Sequence, residues 1–208
     1  MAESTSFICP IGGAAFSLDI PTAVAHTGQN LDFKLTGEKV TSPRPIPVCP
    51  DNGFVIYRQD FSDDEITSLS AYVLSDEYRA LTDTHTPYFR LAKLLTFQGH
   101  AALEVAFAYL RASWEVDTEP ERYAVYAQAT ASKLETYLLD ADPKTPDFFT
   151  AHWLLAELKR RTGDFESART TLDAIKHHEQ ASKPYPSRMI ILLYRLIGSE
   201  NLAPHRMP

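Results

Sequence analysis

Cysteine is nearly missing from this chain. Two residues of this type, Cys9 and Cys49, stand among 208, too few for the disulfide-dense scaffolds that hold many small secreted domains together. No apolar run approaches the roughly 20 residues that cross a bilayer as a helix, so no membrane partner is expected. The opening residues, Met1-Ala2-Glu3-Ser4, lack the basic stretch and long apolar run of a secretory signal, and a cytoplasmic location is the expectation. Long basic clusters are absent too. The longest is Lys159-Arg160-Arg161, in a chain of formal net charge -7. Sequence-independent nucleic-acid binding relies on clustered Lys and Arg that displace counterions, so no nucleic-acid partner is expected. Also missing are the Gly-x-Ser-x-Gly elbow, the phosphate-cradling Gly-rich loop and the His-Glu-x-x-His motif. With no paired nucleophile and base in view, no enzyme is expected.

What is present is helical periodicity. The stretch 148–176 organises the chain. Trp153, Leu154, Leu155 and Leu158 recur at helical spacing, and Phe165, Ala168, Leu172 and Ile175 follow three or four apart. Between the two runs lies Gly163-Asp164, where glycine can take the left-handed conformation that ends a helix. Small residues, Ala156 and Ala168, stand where the two helices would cross. Such a hairpin cannot bury its apolar faces alone, so neighbouring helices must cover it.

Residues 1–60 have a different texture. They hold most of the glycine, many prolines and short apolar runs. Phe7-Ile8-Cys9, Ala15-Phe16-Ser17-Leu18, Leu31-Asp32-Phe33-Lys34-Leu35 and Phe54-Val55-Ile56-Tyr57 read as strands. The proline-rich segment 41–47 reads as extended, because each proline pushes its predecessor out of the helical region. From Ser62 the pattern turns helical. Ser62 with Glu65, and Thr118 with Glu121, read as capping boxes. Thr86-Pro87 marks another start, and Gly99 a stop. Helices are expected over 62–79, 86–98, 101–114, 118–140, the hairpin, and 189–197 after a break at Pro184-Tyr185-Pro186. The tail 201–208 is expected to be loosely ordered.

The hairpin resembles a tetratricopeptide repeat in Leu155-Ala156, Gly163-Asp164-Phe165, Ala168 and Leu172, with Trp153 one place later than the repeat's usual tryptophan. A second resemblance covers nearly the whole chain. Cys9-Pro10-Ile11-Gly12-Gly13 and Cys49-Pro50-Asp51-Asn52-Gly53 resemble two Cys-Pro-x-Cys-Gly knuckles, each without its second cysteine. An aromatic run, an acidic helix start at 60–65, Tyr109-Leu110-Arg111-Ala112-Ser113-Trp114 and the hairpin follow in order. This order is similar to domain of unknown function 2225, a bacterial family whose members look like a zinc-ribbon head followed by tetratricopeptide-like helices. The resemblance implies that architecture and no established activity.

Zinc in a structural site takes four tetrahedral ligands, commonly thiolate or imidazole. Gly12 and Asn52 stand where two ligands would be, leaving Cys9 and Cys49, with His26 and Asp51 as the only nearby additions in the sequence. Loss of half the ligands favours a head without metal or other cofactor, its turns kept by glycine and its two thiols facing each other. Elsewhere, Asp173, His177, His178 and Glu179 read as a helix end favoured by the helix dipole. Asp60, Asp63, Asp64 and Glu65 read as a helix start on the same ground. Lys159, Arg160 and Arg161 read as a solvated face, with an acidic peptide as the rival occupant.

The expectation is therefore α+β: a small β-rich, zinc-ribbon-like head over 1–60 on an all-α, tetratricopeptide-like body over 61–208. The expected function is a non-enzymatic interaction or adaptor protein that receives a protein partner on a helical-repeat surface. Tyr109, Trp114, Tyr123, Tyr126 and Tyr137 recur on the middle helices; most read as core, and Tyr109, Trp114, Tyr123 and Tyr126 are the residues expected to make the contact where the concave face is lined. The alternatives are a redox- or metal-responsive switch using Cys9 and Cys49, and an enzyme with its pocket between head and body.

Overall fold

Alternation at the N-terminus builds the first element. In the computed structural model, which describes residues 2–21 and 26–208, β1 (Ala2–Ile8) pairs antiparallel with β2 (Ala15–Pro21), placing Phe7 opposite Phe16. Their rings stack with centroids 5.8 Å apart. The loop joining the strands is the first knuckle. The second knuckle is closed by a single bridge from Val48 to Val55. Of the expected 1–60 head, Met1 and residues 22–25 lie outside the described residues.

Two strand expectations are corrected. Leu31-Asp32-Phe33-Lys34-Leu35 alternates like a strand but folds as a turn, flanked by the short strands β3 (Gly28–Gln29) and β4 (Leu35–Thr36). The Asp32 carboxylate accepts from Lys34 N at 3.2 Å, and Phe33 takes a φ of 69°. A side chain that bonds the backbone two residues on offers the chain an alternative to the ladder. The 54–57 run keeps one bridge only. Phe54, Val55 and Ile56 are all buried, so this segment is covered on both sides rather than alternating. Pro45 and Pro47 opposite it have no N–H to give a ladder.

The helical body contains, among the described residues, eight α-helices: α1 (Asp63–Val73), α2 (Asp76–Thr84), α3 (Pro87–Phe97), α4 (Ala102–Glu115), α5 (Pro120–Leu138), α6 (Pro146–Arg161), α7 (Phe165–Asp173) and α8 (Pro184–Gly198). The Ser62–Glu65 capping box forms. The helix expected over 62–79 splits, because the Ser75 side chain accepts from Tyr78 N and caps a new helix. The Thr118–Glu121 box does not form: Glu119 occupies the cap position and Pro120 the first turn. The expected break at 184–186 becomes the first turn of α8, where a missing proline N–H costs nothing. Gly163, at φ 89°, ends α6 as expected. Each helix from α3 to α8 packs on its neighbour in sequence.

One hydrophobic cluster runs from Cys9, Ile11 and Phe54 through to Leu193 and Ile197. The tail is ordered, contrary to expectation. Leu31 N donates to His205 O at 2.9 Å and Met207 N to Gln29 O at 2.8 Å, so the tail adds a short antiparallel partner to the 28–31 segment.

Candidate functional site

The two knuckles are built alike. Cys9 N donates to Ala14 O at 2.8 Å and Gly13 N to Cys9 O at 3.0 Å; Cys49 N donates to Phe54 O at 2.8 Å and Gly53 N to Cys49 O at 2.9 Å. Each turn closes with a glycine at positive φ, 75° at Gly13 and 71° at Gly53. Both cysteines are buried free thiols. Burial, and then the adjacent Cys49, push the Cys9 thiol up to about 11.

Asn52, at a vacated ligand position, joins the turns. Its Nδ2 donates to Ile11 O at 2.5 Å and lies 3.7 Å from Cys9 Sγ, while its Oδ1 accepts from Phe54 N at 2.9 Å. One amide thus satisfies groups on both knuckles. The residues present do not fit a structural zinc ion. Among the described residues no three His, Cys, Asp or Glu side chains come together, and His26 and Asp51 are exposed. Gly12 stands at φ 99°, a backbone that disfavours any side chain there.

The second knuckle is anchored to the body. Gly53 O accepts from Tyr78 Oη at 3.1 Å and from Arg90 Nη1 at 2.9 Å. These contacts join the head to α2 and α3.

The expected partner-contact residues are corrected by burial. Tyr109, Tyr123 and Tyr126 are in the core and Trp114 is half-buried. Tyr109 packs edge-on to Phe89 at 5.1 Å. Tyr126 hydrogen-bonds His85 at 3.0 Å. Tyr123 lies 4.0 Å beneath the Arg161 guanidinium. Rings of this size on amphipathic helices lower the free energy most by facing inward, so the three tyrosines do not line an open surface. On α5, exposed Ala124, Gln128 and Ser132, four apart, with half-buried Ala131 and buried Ala127 at their base, form one wall of a groove of about 530 Å³ whose other wall is α6. Glu135 and Lys159 bridge it at 3.0 Å. That spacing was readable in the sequence; the larger aromatics obscured it.

The basic run is corrected as well. Lys159 is half-buried, but Arg160 and Arg161 are enclosed. Arg160 makes a two-pronged pair with Glu157, at 2.8 and 2.7 Å, and donates to the tail carbonyls of Asn201 and Ala203. Arg161 pairs with buried Asp32 at 2.9 Å. Trp153 Nε1 donates to Leu31 O at 2.7 Å. Burial pushes the Asp32 and Glu157 carboxyls up, with their arginines opposing. This network pins the 28–36 segment and the tail onto α6. The Glu-x-x-Arg spacing of 157 and 160 was visible in the sequence, but its burial was not.

The remaining candidates are local. Asp173 accepts from Tyr194 Oη at 2.7 Å, and that bond holds its carboxyl below the usual range. His178 accepts from Gln180 N at 3.0 Å and caps a 3-10 turn. His177 is exposed. At the α1 start Glu65 completes the cap with Ser62, and Asp63 and Asp64 lie in the first turn.

The model of one family, described as an uncharacterized protein conserved in bacteria (DUF2225), matches residues 45–195. The match takes in the second knuckle and the helices through most of α8, and leaves the first knuckle outside. No curated protein and no solved structure matches the chain.

Proposed function

Since the chain belongs to DUF2225, a bacterial family without an assigned activity, we propose that it is a non-enzymatic interaction protein whose helical body receives a segment of a protein partner between α5 and α6. The observation that carries this reading is the groove walled by Ala124, Ala127, Ala131 and Ser132. Small side chains let a second backbone approach closely, and the Glu135–Lys159 pair at the edge supplies charges of both signs to set register. The α6–α7 hairpin supports a tetratricopeptide-like kinship, with Ala156 and Ala168 fully buried. A net charge of -7 disfavours nucleic acid.

The test is affinity capture from a bacterial lysate with Ala124→Arg and Ser132→Arg. Both positions are exposed, so stability should move by no more than about 0.5 kcal/mol. A protein captured by the native chain should be lost from both variants. Equal capture by folded variants would remove the groove from consideration.

A further inference from the structure

Arg90 is a buried cation with no ion-pair partner within 4.0 Å among the described residues. Its residue is 7% exposed. Among the described residues, one of its several N–H donors reaches a protein acceptor, Nη1 to Gly53 O at 2.9 Å. Its Nε is enclosed and unpartnered. Arg58, Arg79, Arg122, Arg160 and Arg161 each pair with a carboxylate, whereas Arg90 pairs with none among the described residues. Half-buried Glu115 feels its charge. That carboxylate is committed to the start of α3, where it accepts from Tyr88 N at 3.2 Å.

Arg90 lines a cavity of about 450 Å³ between the second knuckle and α2. Gly53 and Asn52 form the knuckle side, and Thr82 and Arg79 the helix side. Arg79 is exposed at the rim, with a 3.9 Å contact to Asp76. Asp51 is the single acid on the lining, and it is exposed. The lining thus carries two arginines and one acid, with Asp76 just outside it beside Arg79.

Water in such a cavity can satisfy N–H groups, but it does not neutralise a charge removed from bulk solvent. An anion does both. The guanidinium fork matches the paired oxygens of phosphate or carboxylate, and a dianion balances two cations where a carboxylate balances one. We propose that this cavity binds a small tetrahedral oxyanion of the phosphate class, with Arg90 as the buried anchor and Arg79 as the second cation at the rim. Gly53 keeps the space open, since a side chain there would meet Arg90 Nη1 at 2.8 Å. The site is separate from the α5–α6 groove and does not depend on it.

The experiment uses the full chain with inorganic phosphate as the probe and chloride at matched ionic strength as the control. Phosphate should raise the unfolding temperature saturably and shift the Arg90 Nε–H resonance. Arg79→Gln alters an exposed residue and leaves the fold intact. It should weaken phosphate binding about tenfold, the effect of one charge-assisted hydrogen bond. Arg90→Lys should abolish the resonance and most of the binding. If Arg90→Lys does not fold, the Arg79→Gln titration decides alone. Glycerol phosphate, binding as well as phosphate or better, would support the site and assign it to organic phosphates. Weaker binding of that ester would support it and assign free phosphate. Phosphate that acts no differently from chloride, or equally on the native chain and Arg79→Gln, overturns the proposal.

Discussion

At Gly53 a methyl group would sit 2.5 Å from Thr82 Cγ2 and 2.8 Å from Arg90 Nη1, on a backbone at φ 71°. Gly13 in the first knuckle has nearly the same conformation, φ 75°, with nothing nearby. The pair separates backbone strain from close approach. Gly13→Ala should cost about 1 kcal/mol, the strain of a left-handed L-residue. Gly53→Ala adds a clash and should cost about 2–4 kcal/mol. Urea denaturation of both variants measures the difference; equal losses would show that α2 yields to the methyl. The sequence showed why glycine belongs at these turns. It did not show that one turn is docked against a helix. Asn52 was legible only as a lost ligand, because its hydrogen-bond acceptor, Ile11 O, lies 41 residues away.

Among elements, α6 does the most to hold distant parts together. Its Trp153 holds the Leu31 carbonyl, its Arg161 holds Asp32, and its Arg160 holds two carbonyls of the tail. The apolar period of this helix was plain in the sequence, and so was its glycine stop, whereas its start, capped by Thr145 with Pro146 in the first turn, lies two residues before the expected stretch. The tail is short, holds two prolines and is aperiodic, so nothing local marked it as ordered. Deleting residues 201–208 would strip acceptors from a guanidinium that remains buried beside Glu157. The expected loss is about 2–5 kcal/mol, the range for a buried charge deprived of partners. A truncated chain with an unchanged urea midpoint would mean that the tail only decorates the surface.

Across the whole molecule, helices distant in sequence meet at shared polar junctions. At one of them His85, at the end of α2, stacks on Phe89 of α3 at 3.9 Å and hydrogen-bonds Tyr126 of α5 at 3.0 Å. Tyr126 Oη already accepts from Thr86 N and Arg122. Its own proton therefore goes to His85 Nδ1, which must be unprotonated. Burial, with Arg122 and Lys93, holds the His85 pKa below its ordinary value of 6.5. The unfolded chain then binds a proton more readily than the folded one, so this contribution is present above about pH 6.5 and is lost as pH falls below it. His85→Gln keeps an acceptor for Tyr126 without the titration. The stability advantage of the native chain over this variant should shrink as pH is lowered from about 7 to 5. A pH-independent gap would place the His85 proton elsewhere.

The amino-acid order by itself determined the α+β division, most helix boundaries, the α6–α7 hairpin and the paired knuckle turns. Each is governed by chemistry within a few residues: an apolar period, a capping hydroxyl, a proline in a first turn, a glycine at positive φ. Only the tertiary structure decided that the aromatics of α4 and α5 face inward and that Arg160 and Arg161 are enclosed. It also decided that the tail is ordered and that an amide bridges the knuckles. These outcomes depend on contacts such as Trp153 with Leu31, 122 residues apart, and Arg161 with Asp32, 129 apart. Local periodicity shows which side chains share a helix face. What lies against that face is decided by the packing of the rest of the chain, which determines whether a charge or a ring is buried there.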